Sequence, residues 1–161
     1  MKKYNLLLTL LLLFQQLSFS QDQFKIDSLQ AELKKLQAKK KDSGNSASFT
    51  YDTLTANILY ELSKSFWYYD SAKAMDYANQ TLALSERIGF KKGIGNAYSS
   101  MGVINTNSYH FIPALEYLKR SLKIREEIGD SQGIAGCYNH FANIYNSQGI
   151  AGCYNHFANI Y

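Results

Sequence analysis

From Thr50 onward, apolar residues recur at intervals of three and four, and the whole stretch holds a single proline, Pro113. That spacing predicts an all-helical chain. Upstream, Ile26, Leu29, Leu33 and Leu36 form a shorter stripe on a helix predicted over 27–40, with Asp27 and Gln30 as a capping pair. The stripe covers less than two heptads, so a helix leaning on a neighbour is expected rather than a free coiled coil. The polar, small-residue segment 41–49 (KDSGNSASF) reads as a linker or long turn. The start of the chain has a different pattern: Leu6 to Phe14 is continuously apolar, preceded by Lys2 and Lys3 and followed by QQLSFS. The run is about half the length of a spanning helix, so a removable export signal cleaved after Ser20 is expected, and with it a periplasmic location.

The helical stretch also repeats. Residues 121–145 (SLKIREEIGDSQGIAGCYNHFANIY) align without a gap on 81–105 (TLALSERIGFKKGIGNAYSSMGVIN) at a shift of 40. Ile88-Gly89 matches Ile128-Gly129, Gly93-Ile94 matches Gly133-Ile134, and Ala74 with Tyr77 matches Ala114 with Tyr117. Each period holds two helices, placed at 93–105 and 113–128 in the middle unit. Pro113 suits a first turn, where a missing N–H costs nothing, and Gly129 suits a C-terminal cap.

These residues resemble tetratricopeptide repeats. The pattern is a large residue, a large–small pair and an aromatic on the first helix, then a small residue early on the second. It falls on Tyr98, Met101-Gly102, Asn105 and Ala114 in the middle unit, with Asn105 where an aromatic is usual. It falls on Leu59, Leu62-Ser63, Phe66 and Ala74 before it, given a turn one residue shorter, and on Tyr138, Phe141-Ala142 and Tyr145 after it. Thr81 and Ser121 form a further column of small residues. The resemblance implies a solenoid of helical hairpins, about two and a half repeats over 50–149, preceded by the short N-terminal helix and linker of 21–49. It also implies a peptide or protein ligand in the groove lined by the first helices. The positions facing that groove would be Asn57, Tyr60, Lys64 and Trp67, then Asn96, Ser99 and Val103, then Asn139 and Asn143. Trp67 is the best single anchor, and Asn139 and Asn143, four apart, suit a ligand's backbone amides. The phrases LKIREEIGDSQGIAGCYNHFANIY and YYDSAKAMDYANQTLALSERIGF are similar to exported repeat regions of Bacteroidetes-type signalling proteins. There, periplasmic repeats precede a membrane helix and a histidine kinase, a LuxR-like regulator or a nucleotide cyclase. None of those output modules is present, so contact with a membrane would come only through further downstream sequence.

Charge changes the picture little. The chain has 17 basic and 13 acidic residues, and two of the lysines belong to the expected signal. The balance that remains, with no basic stripe or reading motif, argues against nucleic-acid binding in this segment. No P-loop, G-x-S-x-G, H-E-x-x-H or dinucleotide turn occurs, so neither catalysis nor a cofactor is expected.

The end of the chain offers one chemical alternative. Residues 131–145 return letter for letter at 147–161, so that Cys137, His140, Cys153 and His156 make two C-x-x-H pairs and a nominal zinc set. The second pair exists only as a copy of the first, which makes this the weaker reading, as is a stand-alone secreted domain without signalling output. A 16-residue echo is out of step with a 40-residue period. It puts Tyr154 where a small residue is due, so 150–161 is expected to be an out-of-register duplicate of 134–145, from truncation or an artefact.

Overall fold

The computed structural model describes residues 22–41 and 45–148, all but the connecting turns helical, with no strand among them. Helix α1 runs over 22–41, followed by α2 (Asn45–Phe66), α3 (Ser71–Arg87), α4 (Lys91–Asn107), α5 (Phe111–Glu127) and α6 (Ser131–Gln148). The export signal, its cleavage point and the duplicated 150–161 lie outside the described residues. No described helix is long and apolar enough to cross a membrane.

Two boundaries differ from the sequence expectation. Asp27 is not a cap: helix already surrounds it, and its carboxylate accepts from Gln23 Nε2 at 2.8 Å, one turn back. The polar segment 41–49 is helical from Asn45 onward, since nothing in its composition forbids helix once α2 has a packed face to extend. The apolar stripe of α1 does what its spacing implies. Ile26 is buried with Ile58, Leu62 and Phe66 of α2, and Leu29, Leu33 and Leu36 pack against the same cluster. Lys25 reaches Glu61 at 3.7 Å and Lys40 reaches Asp52 at 2.5 Å, so α1 lies antiparallel to α2.

Helices α3 and α5 begin at 71 and 111, and α4 and α6 at 91 and 131, which is the 40-residue interval of the sequence. Each of α2–α6 packs on its chain neighbour. In addition α2 packs on α4 and α4 on α6, whereas α3 and α5 make no such contact. The even-numbered helices therefore form one layer, with α3 and α5 behind them. Ala74, Ala78, Thr81 and Ser85 are the buried stripe of α3, and the residues 40 later, Ala114, Leu118, Ser121 and Arg125, are buried on α5.

Small residues set how closely the hairpin helices approach. Ser63 donates to the Ala74 carbonyl at 2.9 Å, fully buried. The corresponding position on α4 is Gly102, where a β-carbon would stand 2.6 Å from Leu118 Cγ. Helices α3 and α5 end in the same closure. Gly89 and Gly129 both have φ 68°, and the amides of Phe90 and Asp130 reach back to the Ser85 and Arg125 carbonyls at 2.8 and 2.9 Å. The end of α4 repeats that closure with Tyr109 in the left-handed position, at φ 60°.

Candidate functional site

The layer α2–α4–α6 presents two adjoining clefts, with His140 lining both. One, of about 350 Å³, lies toward the start of α4 and α6. Tyr60 and Glu61 come to it from α2, Lys92, Asn96 and Ser99 from α4, and Arg125 and Asp130 from the α5–α6 junction. Charge is built in on every side. Glu61 pairs with Lys64 at 2.9 Å, and the Lys64 ammonium sits 5.2 Å from the centre of the Tyr60 ring.

Arg125 is the centre of this cleft's hydrogen bonding and is only 6 % exposed. Its Nε donates to Ser121 Oγ at 3.0 Å, one guanidinium nitrogen to Asp130 Oδ2 at 2.5 Å and the other to Asn96 Oδ1 at 2.8 Å. Ser121 in turn donates to the Gly95 carbonyl at 2.7 Å. Asp130 caps α6 through its other oxygen, which accepts from the Gly133 amide at 3.0 Å. Burial pushes the Asp130 carboxyl up, but the Gly133 amide and the Arg125 guanidinium outweigh it and hold the group below its ordinary value. Gly133 has no freedom to carry a side chain, since a β-carbon there would overlap the Arg125 guanidinium and Asp130 Oδ2.

The other cleft, of about 470 Å³, lies toward the far end of the same helices. Val103, Thr106 and Asn107 of α4 and Asn143, Asn146 and Ser147 of α6 line it, with Tyr68 and Tyr109 on the turns. Where the clefts meet, Trp67 and His140 touch edge to face with ring centres 6.1 Å apart. Burial, and then the Arg125 charge, lower the His140 pKa, so the imidazole is neutral near pH 7.

Of the nine positions expected to face a groove, Tyr60, Asn96 and Ser99 line the charged cleft, and Val103 and Asn143 the other. Trp67 sits at their boundary through His140, and Lys64 acts through Tyr60 and Glu61. Asn57 and Asn139 are exposed and outside both linings, so of the pair Asn139 and Asn143 only the second lines a cleft. The stripe periodicity did not point to Arg125, Asp130 or His140. Arg125 did leave one signal, an arginine on the otherwise small and apolar stripe of α5, at the place Ser85 holds on α3.

Cys137 and His140 have different surroundings. Cys137 is 1 % exposed and packs with Ala114 and Leu118. Its thiol lies 3.4 Å from Ser121 Oγ, while His140 faces Trp67. Burial raises the Cys137 pKa and so favours the neutral thiol. The described residues hold no group of three potential metal ligands, and Cys153 and His156 lie outside them. No protein-family model matches this chain, and neither a curated protein nor a solved structure does.

Proposed function

We propose that this chain is a tetratricopeptide-repeat scaffold that binds an extended peptide or protein segment on the face shared by α2, α4 and α6. The observation that carries the reading is the charged cleft. Three helices of one layer contribute to it side by side, two of them 40 residues apart, and Glu61, Lys92 and Asp130 offer both signs of charge beside the hydrogen-bonding groups of Tyr60, Asn96 and Ser99. Such a surface suits a chain of alternating amides and charged side chains better than a small apolar ligand. Small residues at the hairpin contacts, Ser63 with Ala74 and Gly102 with Leu118, support the repeat assignment. With the export signal expected at 1–20, the reading extends to the periplasmic sensing part of a transmembrane signalling protein.

The test is peptide selection by display on the purified protein, followed by titration of the selected sequences. Trp67 is the chain's single tryptophan and reports binding by its fluorescence. Saturable binding that drops at least tenfold in Lys92→Glu is expected. Selected peptides whose affinity ignores that charge reversal, or a failure to select any, would remove the peptide reading.

A further inference from the structure

The 470 Å³ cleft differs in chemistry from its neighbour. Among the described residues that face it, none is Asp, Glu, Lys or Arg, although the adjoining cleft is rich in them. Among the described lining residues Val103 is the one aliphatic side chain, and the other apolar surface comes from the tyrosine rings at the mouth. What it offers instead is carboxamides and hydroxyls: Asn107 and Thr106 on α4, Asn143, Asn146 and Ser147 on α6. Asn107 is held in place, its Nδ2 donating to the Trp67 carbonyl at 2.9 Å, which leaves its oxygen to accept.

Two tyrosines stand on the rim, Tyr68 at 80 % and Tyr109 at 76 % exposure. Tyr109 is there against a conformational preference. Its φ of 60° is left-handed, a region that a β-carbon disfavours, and the same closure uses Gly89 and Gly129 at the ends of α3 and α5. The turn itself therefore needs no side chain at 109. What tyrosine adds is a ring at the mouth of the cleft, steadied edge to face by Phe111 at 6.1 Å.

We propose that this cleft is a binding site for a short neutral oligosaccharide. Exposed tyrosine faces match the apolar C–H faces of pyranose rings. The paired donor and acceptor of a carboxamide match vicinal hydroxyls, and a lining without charge selects a ligand without charge. The cleft volume falls within the roughly 300–1,000 Å³ of known small-ligand sites. The inference stands apart from the peptide reading, which rests on the charged cleft.

The full chain is screened on a glycan array carrying neutral and uronic-acid glycans, and maltotriose, cellotriose and chitotriose are titrated by calorimetry. Saturable binding of at least one neutral glycan is expected, with uronic-acid glycans no better. Tyr68→Ala and Tyr109→Gly should each weaken it at least tenfold. Tyr109→Gly should also raise the melting temperature, because glycine relieves the left-handed residue, so lost binding could not be blamed on lost folding. The proposal fails if the array shows no neutral binder, or if affinity is unchanged in both variants. It fails equally if an uncharged peptide, not a glycan, is the ligand that Tyr109→Gly releases.

Discussion

The α3–α4 and α5–α6 junctions share a backbone and differ in what lies beneath it. Both close on a left-handed glycine, Gly89 or Gly129, and both start the next helix with a glycine pressed against the helix before it, Gly93 or Gly133. Under the first, Ser85 is fully buried and its hydroxyl finds no hydrogen-bond partner among the described residues, and Phe90 leads into α4 without a side-chain cap. Under the second, the residues 40 later are Arg125 and Asp130, which join Ser121, Asn96 and the Gly133 amide in one network. The lesson is that the repeat specifies main-chain geometry, while side chains at equivalent positions are free to diverge into a polar site. The second junction faces the charged cleft, and there the divergence has built that cleft's wall.

The comparison is most directly broken by removing Arg125. Arg125→Met strands Asp130 and Asn96, and a loss of about 3 kcal/mol is expected, because an uncompensated buried charge is costly. Urea denaturation measures it, and a loss near zero would mean that the network contributes specificity rather than stability. Next come the paired glycines. Gly133→Ala forces apart the Arg125–Asp130 pair and should cost about 2–3 kcal/mol, against about 1 kcal/mol for Gly93→Ala, where the Ser85 hydroxyl and the Phe90 ring can yield. Equal costs would show that the two junctions are alike after all.

Where the backbones are the same, the effects should be the same. Gly89→Ala and Gly129→Ala meet no atom within 4 Å, so each should cost only the left-handed penalty, about 1 kcal/mol. Ser85→Ala should gain up to about 1 kcal/mol by removing a buried hydroxyl without a partner, a sign opposite to that of Arg125→Met.

The smallest effects are in pH dependence. Asp130 has a folded pKa below its ordinary 3.8, so its contribution is present above that value and is lost as pH falls through the folded pKa. His140 is likewise lowered from 6.5. The unfolded chain therefore takes up its proton first, and stability declines as pH falls below about 6.5 until the folded pKa is passed. Melting temperatures should fall in both windows. Asp130→Asn should flatten the lower one and His140→Gln the upper.

Much of the architecture was legible in advance because helix packing writes itself into spacing. The 3–4 stripe of α1, the 40-residue interval and the small residues at Ser63, Gly102 and Ala114 are local demands of close-packed helices, and they appear in the order of residues. Helix limits were less legible. Asp27 and the residues from Asn45 to Phe49 carry cap and loop chemistry, yet they lie within α1 and α2, because a cap or loop preference is a weak local term that a longer helix overrides. The candidate groove positions were only partly legible. Helical periodicity gives direction around one axis, yet a cleft depends on how three helices lie side by side. Asn139 therefore points to solvent, while His140, one residue on, sits at the centre.

The chain by itself determined that it is helical, where its hairpins turn and which faces must be small, since those follow from periodicity, glycine and excluded volume. The tertiary structure alone decided that Arg125, distant in sequence from Asn96, shares one network with it, that Trp67 meets His140 across the groove, and that the face carries a charged cleft beside an uncharged one. Those contacts join residues on different helices, and no spacing along one helix records the distance across to another.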